Sequence, residues 1–236
     1  MLTLETERVW NFLREQLSLA GGVLIGGSAL SLRINHRFSE DLDVAFTGGC
    51  LPRARLDAFC RSASQSAMQL APQDDEAALH EFADGGMDLR DYQQNYLVNG
   101  RVRLSFFAPE PPLAKILNEP SAPQVRVATL PELFKAKCLV SAVRSKSRDW
   151  IDLYLLLRDH GFSLRDYRNA FAEAGLESQC DIGLSRLCSG SPQKDDEGYA
   201  HLMTKPPSLE EMKQFFIVRR DELEIEMAAK RRKPLH

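Results

Sequence analysis

The chain has 236 residues, 44% apolar and 27% charged, with a formal net charge of −3. That length holds one large or two small domains with real cores, and the composition excludes wholesale disorder. The mild negative charge excludes a protein that coats nucleic acid indiscriminately, although a local basic groove is compatible with it.

Leu4 to Leu19 carries Val9, Trp10, Phe12, Leu13, Leu17 and Leu19 at helical spacing with charges between them. Residues 1–20 are rich in Glu and Arg, unlike a signal peptide, and no stretch approaches the roughly 18 to 20 apolar residues that cross a bilayer. A cytoplasmic protein with no membrane partner is expected. The five cysteines, Cys50, Cys60, Cys138, Cys180 and Cys188, are odd in number and show no C-x-x-C spacing. They indicate neither a zinc site nor a disulfide framework, only reduced thiols.

Val23-Leu24-Ile25 reads as a buried strand that runs into Gly26-Gly27-Ser28, where missing side chains let backbone N–H groups approach a ligand. Ala29 to Arg33 reads as a short helix whose N-terminus points its free N–H groups and positive dipole end at that turn, a natural seat for phosphate. After a turn at Asn35-His36 comes a strand, Asp41-Leu42-Asp43-Val44-Ala45-Phe46. Alternation puts Asp41 and Asp43 on one face and Leu42 and Val44 on the other. Two readings are open: a solvated acidic strand end, or a pair kept for a proton or a cation. Mg²⁺ held by one or two carboxylates together with nucleotide phosphates is the common arrangement for phosphoryl chemistry.

Gly27-Ser28 followed after a short helix by Asp41-x-Asp43 resembles the signature of the DNA polymerase β-like nucleotidyltransferases. The longer block, Gly26 to Leu30 with His36-Arg37-Phe38-Ser39-Glu40-Asp41-Leu42-Asp43, resembles the AbiEii/AbiGii nucleotidyltransferase toxin family. The resemblance implies Asp41 and Asp43 as Mg²⁺ ligands, with Gly26, Gly27, Ser28 and Arg37 on the nucleotide.

Pro52 to Met68 reads as a helix with Leu56, Phe59, Cys60 and Ala63 on one face, and residues 72–76 as a loop. Ala77–Phe82, Asn95–Val98 and Arg101–Phe107 read as strands, the last two joined by Asn99-Gly100, a tight-hairpin dipeptide. The polymerase-like fold places a third carboxylate on such a strand, and Ser105 stands there instead. One-metal chemistry, a substitute acid (Asp84, Asp88 or Glu110) and lost activity are all open. Pro109 to Pro123 reads as the crossing between halves, Gln124–Ala128 as one more strand, and Thr129 as the N-cap of a helix from Leu130 to Arg144.

On that helix Lys137 shares a stripe with Leu130, Phe134, Ser141 and Arg144. Either its stem packs on apolar surface while the ammonium snorkels to water, or it reaches nucleotide phosphates. Asp152 sits in an otherwise apolar helix and needs a partner, for which Arg148 four residues earlier is available, while Asp149 has the position of a first-turn acid. Lys137, Arg144 and Arg148-Asp149-x-x-Asp152 resemble the second block of the same toxin family, so the resemblance covers roughly residues 20 to 160. It implies functional roles for Lys137, Asp149 and Asp152.

Ser163–Ala174 and Gly183–Cys188 read as helices, 191–207 as a polar loop, and Ser208-Leu209-Glu210-Glu211 as the capped start of a final helix. The basic run Lys230–Lys233 suits a solvated helix end or a contact to an RNA backbone. The expected architecture is α+β: a polymerase β-like nucleotidyltransferase domain with a mixed sheet (1–125) and a helical domain (126–236), with the active site in the cleft between them. The family resemblance implies nucleotide transfer from an NTP, an acceptor that is tRNA or a protein side chain, and a separately encoded antitoxin. A small-molecule nucleotidyltransferase and a non-catalytic nucleotide-binding module are the alternatives.

Overall fold

The computed structural model describes residues 1–117 and 123–231, with side chains through residue 229. Contacts divide the chain into two compact units, Met1–Leu133 and Phe134–His236.

The first unit is built on six strands: β1 (Val23–Ile25), β2 (Leu42–Ala45), β3 (Leu70–Pro72), β4 (Gln93–Val98), β5 (Val102–Phe107) and β6 (Arg126–Val127). They form one mixed sheet in the order β3-β4-β5-β2-β1-β6. β2 runs parallel to β5 and β1 parallel to β6, while β1/β2, β3/β4 and β4/β5 are antiparallel. Period-two alternation makes one face apolar. Leu42 and Val44 of β2 and Val102, Leu104 and Phe106 of β5 are buried, whereas Asp43 and Ser105 between them are half-buried. The apolar face is covered by helix α3 (Arg53–Gln65), which presents Leu56, Phe59 and Ala63. The Phe59 ring meets Phe106 edge-on at 5.4 Å, and each such buried aromatic stabilises by about 1.5–3 kcal/mol.

The β4–β5 hairpin turns through Asn99 (φ 50°) and Gly100 (φ 66°), the left-handed pair that an Asn-Gly dipeptide favours. β6 belongs with this unit because Arg126 and Ala128 donate backbone N–H groups to Gly22 O and Leu24 O. The Arg33 guanidinium then closes the open edge on Val127 O (2.7 Å) and Ala128 O (3.0 Å).

Some expected elements differ. Helix α1 (Leu4–Leu13) stops short of Leu19, and Leu17–Leu19 form a separate 3₁₀ turn. Residues 76–84 are not a strand but helix α4 (Glu76–Asp84), capped by Asp75, whose carboxylate accepts from Ala77 N at 2.8 Å and Ala78 N at 3.3 Å. A capped run of Ala, Leu and Glu with no β-branched residue favours the helix.

The second unit is helical. It begins inside α6 (Leu130–Val143) and continues with α7 (Ser147–Asp159), α8 (Leu164–Ala174), α9 (Cys180–Ser189) and α10 (Leu209–Arg231). Its core includes Trp150, Leu153, Leu156, Tyr167, Phe171 and Phe216. Ser163 and Asp166 form a reciprocal capping box on α8, and Ser208 Oγ accepts from Glu211 N at 3.0 Å to open α10. Part of the expected crossing, 118–122, and the side chains of Lys230–Lys233 lie outside the described residues. Among the described residues no helix is long and apolar enough to cross a membrane.

Candidate active site

In the first unit, β1 runs straight into helix α2 (Gly26–Ile34), which opens at Gly26 rather than Ala29. The first N–H groups of a helix have no intrahelical acceptor, so those of Gly26, Gly27 and Ser28 have none within α2 and lie at its positive dipole end. The helix closes at Asn35 in the left-handed region, with Asn35 N donating to Ser31 O at 3.0 Å, and this turns the chain back toward β2.

The approaches at this turn are close. Gly26 has φ +75°, and a Cβ there would lie 2.7 Å from Asp43 Oδ2. A Cβ on Gly27 would lie 2.5 Å from Arg37 Nη2 and 3.1 Å from Ser39 Oγ. Glycine is therefore required twice, once for backbone conformation and once to admit a carboxylate and a guanidinium against the helix start. Arg37 is buried; its Nη1 donates to Phe38 O at 3.0 Å and its own carbonyl accepts from Ser31 Oγ at 2.9 Å. Ser28 is buried as well, and its hydroxyl donates to Asp41 O and lies 3.0 Å from Ser39 Oγ.

β2 begins at Leu42, one residue later than expected, so Asp41 stands just outside the ladder and Asp43 inside it. Asp43 pairs in register with Ile25 on β1 and with Ser105 on β5. Directly opposed residues share a face, so the Ser105 side chain stands beside Asp43 on the polar side of the sheet. Of the acids considered as substitutes, Asp84 ends α4, Asp88 pairs with Arg53 at 2.6 Å and Glu110 precedes α5 (Pro111–Ile116). None of the three stands on β2 or β5. Among the described residues no group of three or more His, Cys, Asp or Glu side chains is placed to hold a metal. Two carboxylates with a neighbouring hydroxyl are all hard oxygen donors. That set fits Mg²⁺, which takes one or two protein carboxylates and fills its other positions with water and phosphate.

In the second unit, Lys137 of α6 is buried, with Nζ 2.6 Å from Asp149 Oδ1 and 2.6 Å from Asp152 Oδ2, both on α7. Arg144 Nε lies 2.8 Å from Asp149 Oδ2. Asp149 and Asp152 are one turn apart, so a single ammonium at the right height on α6 bridges both. Snorkelling is thereby replaced by burial against two carboxylates. Asp152 takes Lys137 as its partner, whereas Arg148 donates to Gly198 O at 3.0 Å and pairs with Glu197 at 3.2 Å.

Burial by itself would raise the Asp149 carboxyl, but the Lys137 ammonium and the Arg144 guanidinium outweigh it and hold Asp149 below the ordinary aspartate range. A folded-state value below the unfolded one stabilises the protein at pH values above about 3.9, and that contribution is lost as pH falls through the lowered value. The melting temperature is therefore expected to drop on acidification below about pH 4. Asp149→Asn should start lower and show a shallower acid limb in the same thermal-melt series.

The sequence profile described as nucleotidyl transferase AbiEii toxin, of type IV toxin–antitoxin systems, matches residues 5–233. The chain belongs to the AbiEii family. An uncharacterized protein of Aquifex aeolicus is 28% identical to it over 143 residues, 61% of this chain and 61% of that relative. JHP933 from Helicobacter pylori shares the fold at 18% identity and a TM-score of 0.51, covering 98% of both chains. MenT4, a nucleotidyltransferase toxin of Mycobacterium tuberculosis, shares it at 14% identity and a TM-score of 0.57, covering 91% of this chain and 82% of that one. The mixed sheet with its flanking helices is thus a nucleotidyltransferase fold, as the sequence led us to expect.

Within this AbiEii chain the residues expected to act fall into two groups, each assembled in one unit. Gly26, Gly27, Ser28, Arg37, Asp41 and Asp43 converge on the start of α2. Lys137, Asp149 and Asp152 form one ionic cluster with Arg144. Thr6 and Ser39, which hold the segment before Asp41, were not expected. Ser39 lies inside the recognised block, but Thr6 looks like any first-turn threonine, since its partner is the carbonyl of Glu40.

Gly26→Ala tests the close packing at α2. The positive φ costs roughly 1–2 kcal/mol, a modest fall in melting temperature. The added methyl must also push the Asp43 carboxylate aside, and a displacement of about 1 Å at a reacting group costs on the order of a hundredfold in rate. A steady-state assay beside a thermal melt should therefore show activity lost out of proportion to stability.

Proposed function

We propose that this AbiEii-family chain transfers a nucleotidyl group from an NTP to an acceptor, with Mg²⁺, and that the acceptor is tRNA. The observation that supports this best is the placement of Asp43 against Gly26 at the N-terminus of α2, with Asp41 two residues earlier. An anion seat and a cation-binding pair then share one turn. In this reading the N–H groups of Gly26, Gly27 and Ser28 bind the triphosphate, and the buried Arg37 adds fixed positive charge beneath Gly27. Asp41 and Asp43 would hold Mg²⁺, which when bound neutralises charge on the phosphate oxygens. A hydroxyl of the acceptor displaces pyrophosphate from the α-phosphorus, and the bond to the leaving oxygen breaks.

For the second unit we propose that Lys137, Asp149 and Asp152 act as one ionised cluster. Lys137 keeps both carboxylates in the charged form that orienting or deprotonating an acceptor hydroxyl requires. A phosphate oxygen that engaged the ammonium would have to compete with both aspartates. As in other toxin–antitoxin pairs, a separately encoded antitoxin protein would be the partner.

The test is transfer of label from each of the four α-labelled NTPs, with Mg²⁺, to total bacterial RNA and total bacterial protein. Labelled tRNA supports the proposal; label on protein alone overturns the acceptor. The position of Ser105 beside Asp43 favours one second reading, a nucleotide-binding module without turnover. That reading predicts a melting temperature raised by NTP and Mg²⁺ with no label transferred to either fraction.

A further inference from the structure

Asp41 lies just before the β2 ladder, which begins at Leu42. The carbonyls on either side of its Cα, those of residues 40 and 41, are held by side-chain hydroxyls from two different helices. Thr6 Oγ1 of α1 donates to Glu40 O at 3.1 Å, and Ser28 Oγ of α2 donates to Asp41 O. Both hydroxyls are buried, Thr6 at 0% and Ser28 at 1% exposure, so neither bond competes with water.

The two are backed up locally. Thr3 Oγ1 lies 2.8 Å from Thr6 Oγ1 and accepts from Thr6 N at 3.3 Å, which fixes the Thr6 rotamer and leaves its proton for Glu40 O. Thr3 N donates to Ser39 O at 3.3 Å, and Leu2 and Ser39 form a parallel bridge. A first-turn threonine in a helix ordinarily serves its own helix. Here it reaches 34 residues along the chain, to the peptide unit immediately before a candidate metal ligand.

We propose that Thr6 is a positioning residue for the metal site: its hydroxyl, with that of Ser28, fixes the backbone of Glu40 and Asp41 so that the Asp41 carboxylate is presented beside Asp43. The inference rests on the reading of Asp41 and Asp43 as metal ligands. It also gives Ser28 a second role, since its hydroxyl serves Asp41 while its N–H serves the anion seat.

The experiment is Mn²⁺ titration of the full chain followed by electron paramagnetic resonance, with thermal melts of each protein in parallel. Removing a bond that orients a ligand typically weakens metal binding by roughly ten- to a hundredfold. Thr6→Val should accordingly raise the Mn²⁺ dissociation constant by about tenfold, with Thr6→Ser within about twofold of the native protein and Ser28→Ala weakened like Thr6→Val. Asp41→Asn should be weakened further still. If Thr6→Val and Ser28→Ala melt lower but bind Mn²⁺ like the native protein while Asp41→Asn does not, Thr6 is merely structural and this inference fails alone. If Asp41→Asn itself binds Mn²⁺ like the native protein, the ligand assignment fails with it. Should Thr6→Val not fold, Thr6→Ala is read by the same criterion: a Mn²⁺ dissociation constant raised by about tenfold supports the inference, and native-like binding overturns it.

Discussion

Asp41→Asn and Asp43→Asn are each expected to lower nucleotidyl transfer by at least about a hundredfold, while the melting temperature stays within a few degrees of the native one. An amide keeps the volume and one acceptor oxygen, turns the other oxygen into an NH₂ donor, and removes the charge that holds a divalent cation. Charge stabilisation by a metal contributes several kcal/mol to such a transition state, and each 1.36 kcal/mol is about tenfold in rate. Stability should change little because the amide fills the same volume as the carboxylate it replaces. Steady-state transfer assays beside thermal melts check both halves. An equal loss of activity and fold would place the two residues in the architecture rather than in the chemistry.

Lys137→Met should produce a large stability loss. Its ammonium stands 2.6 Å from each of two buried carboxylates, and Asp152 is fully buried. Removing one partner of a buried ion pair costs about 3–5 kcal/mol because the remaining charge is left uncompensated. For a chain of this size that is a fall in melting temperature of roughly 6 to 20 °C. Adding Asp152→Asn to Lys137→Met should recover part of the loss, since the orphaned charge goes with it. A double-mutant cycle in chemical denaturation reads the coupling directly. Additive effects would mean that the cluster does not act as a unit.

The parts of the fold that the sequence made legible are those written in local chemistry. The apolar run before Gly26-Gly27-Ser28, the alternation through Leu42-Asp43-Val44 and the Asn99-Gly100 turn each carry their own structural reason, and each lies where its residues suggest. The strand expected at Ala77–Phe82 is a helix, because Asp75, a side chain outside that run, caps its start. Within α7 the local rule offered Arg148, one turn away, as the partner of Asp152. The actual partner, Lys137, comes from another helix, and no spacing rule within one helix predicts which neighbouring helix faces it. Ser105 was singled out through the family resemblance, which puts a third carboxylate at that place on the strand, and the register of β5 on β2 sets it beside Asp43. Thr6 was not, because a hydroxyl that reaches a distant backbone carbonyl leaves no mark on residue type.

Pyrophosphate release tests the central claim most directly. It should be measured with native protein and with the Asp41→Asn/Asp43→Asn double variant, each with bacterial tRNA, the four NTPs and Mg²⁺, and again with the metal chelated. The account predicts release by the native protein with Mg²⁺, and none above background after chelation or from the folded double variant. Release that persists in the double variant would contradict it, because the carboxylate pair at the start of α2 would then not be where the reaction is carried out.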